Sequence, residues 1–133
     1  SLQLGVKFLD VSCAMTILSC LGAVAEASIA IATGLFEIEA HNPTITRAKL
    51  RSEGLLIGKE IIGTAFNTLF FGFYGELLAL FIWFSRLNYS FGMIINDKIF
   101  ISEFIMTLIS SIGVILTIPV TIGIFLRHKK TTI

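Results

Sequence analysis

Charge is scarce in this chain. Of 133 residues only 14% are charged, ten basic and nine acidic, where a soluble domain carries about 25%. The charges that exist avoid three long blocks: residues 11–36, 61–84 and 104–126 hold only Glu26 and Glu76. Too little polar surface remains to coat a soluble domain. No basic stripe offers itself to nucleic acid, and the apolar content is far above that of a disordered chain. Prolines and cysteines are equally few, two of each, so little interrupts a helix. Cys13 and Cys20 lie seven residues apart, about 10 Å along one helix and beyond disulfide reach, and they read as small apolar packing residues. Alternating polarity in ~10-residue segments, the mark of an outer-membrane barrel, is missing as well.

What remains is a membrane protein. A bilayer core is about 30 Å thick and a helix rises about 1.5 Å per residue, so roughly 20 apolar residues cross it. Each of the three blocks is long enough. The first is no signal peptide, being too long and lacking a small-residue cleavage pattern. The expected fold is all-α, a single membrane domain over residues 1–133 with spans at about 11–36, 61–84 and 104–126. A loop at 37–60, an outer loop at 85–103 and a tail at 127–133 connect and close them. The chain begins at Ser1 rather than Met, as a processed product or a piece of a longer protein would.

Basic residues set the expected orientation. Arg47, Lys49, Arg51 and Lys59 fall between the first two spans, and Arg127, Lys129 and Lys130 follow the third. The other side has only Lys7, Arg86 and Lys98. The positive-inside bias then puts the central loop and the C-terminal tail in the cytoplasm and the N-terminus outside. Trp83 and Tyr89 sit where an outer aromatic belt would place them.

Local punctuation fits these spans. Asn42-Pro43 stops the first helix, because the residue before proline is pushed away from helical geometry. Thr44 or Thr46 can cap a second helix that runs on through Gly54 and Gly58 into its span. Asn88-Tyr89-Ser90 breaks the chain outside, and Asn96 or Asp97 caps the third helix. Pro119 removes a backbone bond to Ile115 and should kink that helix, with Thr117 or neighbouring helices able to satisfy the freed carbonyl.

Soluble chemistry finds no footing. Gly54-Leu55-Leu56-Ile57-Gly58-Lys59-Glu60 is one spacer short of a phosphate loop, lacks the following Ser or Thr, and lies within a helix. His41 and His128 stand alone near helix C-termini, with no metal-ligand spacing around them. No enzyme activity and no cofactor is expected.

Polar residues inside the spans carry the interest. Ser19, Gly22, Glu26, Ala30 and Thr33 recur at steps of three or four on the first helix, and so share a face. Thr64, Thr68, Gly72 and Glu76 do the same on the second, with Asn67 beside them. Thr107, Ser110, Thr117 and Thr121 line the third, with Ser111 adjacent. Close packing of small residues and hydroxyls between helices is one reading of these stripes. Depth suggests another. Counted from span midpoints, Glu26 lies about 4 Å toward the cytoplasm, near the levels of Asn67, Thr68 and Thr117. Glu76 lies about 5 Å toward the outside, level with Ser110 and Ser111. An acid near the bilayer centre is costly when charged, and no basic residue lies within a span to pair with either one. These seven residues are the candidate proton or ion sites.

The stretch Leu21-Gly22-Ala23-Val24-Ala25-Glu26-Ala27-Ser28-Ile29-Ala30 resembles the Leu-Gly-Ala-Val-Met-Asp-Val-Ala-Met-Ser stretch of YibE/F-like membrane proteins. The likeness continues through Glu37, Asn42-Pro43 and Ser52-Glu53-Gly54 to Ile57-Gly58-Lys59-Glu60-Ile61-Ile62-Gly63-Thr64-Ala65-Phe66-Asn67-Thr68-Leu69. It resumes at Ser111-Ile112-Gly113 and Ile118-Pro119-Val120-Thr121, covering roughly residues 20 to 125. Glu26 stands where the family pattern has Asp, Lys59-Glu60 replaces an Arg-Asp pair, and Gly75-Glu76 replaces Gly-Ser. The resemblance implies a multi-pass, permease-like protein of the bacterial cytoplasmic membrane, of which this chain would be the C-terminal half. A weaker, fold-level echo links the last three helices of the membrane halves of SecD/SecF and resistance-nodulation-division transporters. Two functions are then expected: proton-coupled transport with Glu26 as proton site, or a non-transporting scaffold whose polar faces bind partner helices. Expected partners are the lipid bilayer and other transmembrane helices, from a missing N-terminal half, a homologous subunit or a second copy, with no nucleic acid.

Orientation is open to direct test. In a background lacking Cys13 and Cys20, Lys49→Cys should react with an impermeant thiol reagent only from the cytoplasmic side, and Ser90→Cys only from outside. The reverse pattern would overturn the charge-based topology.

Overall fold

The computed structural model describes residues 7–129; Ser1, Lys130 and the rest of the expected tail lie outside the described residues. Among the described residues every regular element is an α-helix. Helix α1 runs Phe8–His41, α2 Arg47–Arg86, α3 Phe91–Ile95 and α4 Lys98–Lys129. α1, α2 and α4 are each long and apolar enough to cross a membrane. The chain is thus a multi-pass membrane protein. A segment crossing lipid must satisfy its backbone internally, which restricts it to helices or closed barrels. These segments take the helical solution.

Local chemistry sets the breaks. Asn42 leaves helical geometry ahead of Pro43, with its N–H on Ile38 O at 3.0 Å. Thr46 caps α2, its Oγ1 accepting from Lys49 N at 3.4 Å, while the Thr44 hydroxyl turns to Asn42 Oδ1. Asn88 takes φ 52° in the turn after α2, a left-handed conformation that asparagine tolerates better than most residues. There Phe84 stacks between Trp83 and Tyr89, at centroid distances of 5.8 and 5.3 Å. Asp97, not Asn96, receives the first donor of α4, Ile99 N on Oδ1 at 2.8 Å.

The segments between the apolar blocks are mostly helical, as the caps at Thr46 and Asp97 lead one to expect. Only residues 42–46 separate α1 from α2, and residues 85–103 contain the short α3 and the first turns of α4. At about 1.5 Å per residue the 40 residues of α2 extend roughly 60 Å, twice a bilayer core. Polarity marks where lipid ends, whereas a helix ends only where capping or proline stops it. α4 likewise continues as helix through Pro119. The Thr117 hydroxyl donates to Gly113 O at 2.8 Å, so it does not serve the Ile115 carbonyl that proline releases.

α4 is the central element. Of its most apolar 18-residue stretch 39% is buried inside the bundle, against none for α1 and α2. Lipid tails are as apolar as leucine, so burying leucine gains little here; close van der Waals contact and interhelical hydrogen bonds must hold the helices. Glycine provides that contact. A Cβ on Gly58 would come within 2.5 Å of Ile118 Cγ2, and one on Gly54 within 3.1 Å of Ile122 and Leu35. Between α1 and α4, Gly113 gives way to Cys20, whose Sγ fills the space of a side chain. Ser19 and Ser110 share a hydrogen bond of 3.3 Å nearby.

The packed core lies at one end of the bundle. Ile31 and Leu35 of α1, Ile45 of the turn, Leu50 of α2, and Ile118, Ile122 and Leu126 of α4 form one buried cluster. Polar ties close that end. Arg47 Nη2 donates to Leu126 O at 3.1 Å. Lys129 Nζ donates to Ile45 O at 3.1 Å and pairs with Glu39 at 3.2 Å.

Glycine's role is testable by contrast. Gly58→Ala drives a methyl into the β-branched side chain of Ile118, which is stiff at χ1, and should cost about 1–3 kcal/mol. Gly72, with nothing within 4 Å of its added Cβ, should accept alanine with an unchanged or higher midpoint. Thermal scans of Trp83 fluorescence in mild detergent would separate the two.

Candidate functional site

Alanine spacing on α1 opens a cleft. Ser19, Ala23, Glu26, Ala27 and Ala30 follow one another at helical steps and present a low surface with one acid. Opposite them α2 sets Ile57, Glu60, Ile61, Thr64 and Thr68 on one face. The space between, with Ala65 and Leu69 at its edge, measures about 470 Å³. Glu26 is exposed to it rather than packed away.

The hydrogen bonding of the lining fixes its polarity. Thr64 donates its hydroxyl proton to Glu60 O at 3.1 Å, and Thr68 donates to Thr64 O at 3.0 Å. With both protons turned into the helix, the two hydroxyl oxygens offer only lone pairs to the cleft. Glu26 and Glu60 add carboxyl oxygens, and no Lys, Arg or His lines the space. The lining is therefore acidic and rich in hydrogen-bond acceptors. Ser19 joins its end to α4 through Ser110. Among the described residues no group of His, Cys, Asp and Glu could hold a metal ion.

The family model of YibE/F-like proteins matches the chain over residues 1–130. The chain belongs to the YibE/F-like family. No curated protein and no solved structure matches it, and the fold-level echo of SecD/SecF finds no counterpart there.

In this YibE/F-like chain the residues singled out by depth fall into different places. Glu26 and Thr68 meet at the cleft. Asn67 is exposed and not among its lining residues, and Thr117 is buried in α4 with its hydroxyl on Gly113 O. Ser110 is fully buried against Ser19, and Ser111 donates to Thr107 O at 2.8 Å. Glu76 does not group with these serines. Its neighbour on α4 is Glu103, against whose carboxyl it lies. Phe73 sets that register, its ring about 6 Å from both Phe100 (6.1 Å) and Phe104 (6.0 Å). Counting from span midpoints treats each apolar block as upright and centred, while α2 extends fourteen residues before its block and only two beyond it.

Two further acids belong to these polar places. Glu60 borders the second apolar block, on the side expected to be loop, and the i, i+4 run Glu60-Thr64-Thr68 is the signal that puts it on the cleft face. Glu103 lies just outside the third block. Its Oε2 is buried without a hydrogen-bond partner. Two adjacent carboxyls repel when both are ionised.

That pair yields a prediction. Glu103→Gln supplies a permanent N–H donor to Glu76 and removes the like charge, so the thermal midpoint in detergent should stay level or rise. A fall of several degrees would show that the Glu103 carboxyl itself contributes to the packing.

Proposed function

We propose that this YibE/F-like protein is a permease-type membrane protein of the bacterial cytoplasmic membrane, coupling transport to protons through Glu26. The supporting observation is the α1–α2 cleft, in which two carboxyls and two threonine oxygens face one space with no basic residue to neutralise them. A carboxyl held within a span and left unpaired marks an ion or proton pathway more often than a structural role. In this reading Glu26 binds and releases the proton. Thr64 and Thr68 accept hydrogen bonds from the water that carries it, and Glu60 passes it toward the basic end of the bundle. The orientation adopted is N-terminus outside and C-terminus in the cytoplasm. No enzymatic reaction is assigned.

A second reading is a non-transporting scaffold. It draws on the exposure of α1 and α2, whose most apolar stretches contain no fully buried residue although α2 carries Thr64, Asn67, Thr68 and Glu76 along it. Polar groups facing lipid seek partner helices, whether from further spans, a homologous subunit or a second copy.

Proteoliposomes enclosing a pH-sensitive dye separate the two. Wild-type protein should dissipate an imposed proton gradient, and Glu26→Asp should do so as well. Glu26→Gln should abolish the flux while expression and thermal midpoint stay within error of wild type, since glutamine keeps size and hydrogen bonding. Full flux with Glu26→Gln, together with failure of Glu26→Leu to assemble, would make Glu26 structural.

A further inference from the structure

Two hollows along the α2–α4 seam join into one furrow. The first, about 220 Å³, is bounded by Arg47, Arg51 and Leu55 of α2 and by Pro119, Gly123 and Leu126 of α4. The second, about 640 Å³, shares Leu55 and Pro119 with it and continues to Ile62 and Ile115, with Ser52 and Lys59 at its margin. Two arginines therefore make one end cationic, and the remainder is lined by apolar side chains together with Ser52 and Lys59. From Arg51 to Ile62 the furrow follows eleven residues of helix, about 16 Å at 1.5 Å per residue, beside Ile115, Ile118 and Pro119 of the apolar α4 span.

The cationic end is poised and unneutralised. Arg47 spends one donor on Leu126 O, which fixes its guanidinium at the mouth and leaves the others of its five N–H groups for a ligand. Arg51 has no ion pair among the described residues. A guanidinium fork matches phosphate oxygens in geometry as well as charge. Gly123 meets nothing within 4 Å of an added Cβ, so the hollow is open beside it rather than filled by a neighbour.

We propose that the α2–α4 furrow is a binding site for an anionic phospholipid, its phosphate on Arg47 and Arg51 and one acyl chain laid past Leu55 and Pro119. Charge selects the headgroup, and the largely apolar course that runs on from it past Ile62 and Ile115 suits an acyl chain. The site is independent of the Glu26 cleft, which lies between α1 and α2.

Native mass spectrometry of the full chain in mild detergent, titrated with phosphatidylglycerol or phosphatidylcholine of the same acyl chains, tests this. Wild-type protein should retain one phosphatidylglycerol at least tenfold more tightly than phosphatidylcholine. Arg51→Gln should lose about fivefold of that affinity, the worth of one basic residue at an anionic surface, and Arg51→Lys should restore part of it. Gly123→Leu, which fills the hollow without touching a charge, should weaken both lipids. Lys49→Gln, on the same helix but away from the furrow, should change nothing. Equal losses from Lys49→Gln and Arg51→Gln would show diffuse attraction rather than a site and overturn the proposal. So would undiminished lipid retention in Gly123→Leu, or displacement of the lipid by millimolar inorganic phosphate alone.

Discussion

The close approach of α2 to α4 at Gly54 and Gly58 governs the rest of this structure. In lipid, helices gain little by hiding leucine, so contact must be close to be worth having. Removing two side chains lets Ile118 and Ile122 sit directly on the α2 backbone. The seven-residue core gathers around that crossing at one end of the bundle. With α2 drawn to α4 there, and α1 held to α4 by Cys20 on Gly113 and Ser19 on Ser110, α1 and α2 face each other across a gap. That gap contains Glu26, and the outer side of the same crossing forms the furrow beneath Arg51.

Hydroxyl groups show the economy that a membrane imposes. Thr64, Thr68, Thr107, Ser111 and Thr117 each lie in a helix that crosses lipid, and each donates to the backbone carbonyl four residues earlier. Such bonds satisfy the proton locally and ask nothing of a neighbour. The acids have no such recourse, because a carboxyl cannot donate to a carbonyl unless protonated. Glu26 and Glu60 face the cleft, and Glu76 meets Glu103. The hydroxyls are therefore satisfied within their own helices, and the carboxyls mark where the bundle stays polar.

Polarity also differs between the two ends. At the basic end, arginine and lysine tie the termini of three helices together through carbonyls of Leu126 and Ile45 and through Glu39. The opposite end relies on rings, Phe84 between Trp83 and Tyr89 and Phe73 against Phe100 and Phe104. Aromatic rings tolerate the membrane interface, and their contacts set register without charge.

Class and span count are legible in the residues alone, because composition and block length answer directly to bilayer thickness. Helix stops are legible too, since capping and proline act over a few residues, as at Asn42-Pro43 and Thr46. The polar start of α2 is legible for the same reason: after the Thr46 cap, residues 47–60 run as helix through Gly54 and Gly58 into the span, because helical hydrogen bonds continue whether or not lipid surrounds them. Glu26 and Thr68 can be placed on faces that meet in the structure, because a helical face is a local property. The partners of Thr117, Glu76 and Ser110 cannot, since the register between two helices is decided by contact at glycines and rings far from those residues. Sequence by itself determined a three-span helical membrane protein with an acid in each of its first two spans. Only the tertiary structure decided which polar groups share a space, because tilt and register belong to the packed pair and to neither helix alone.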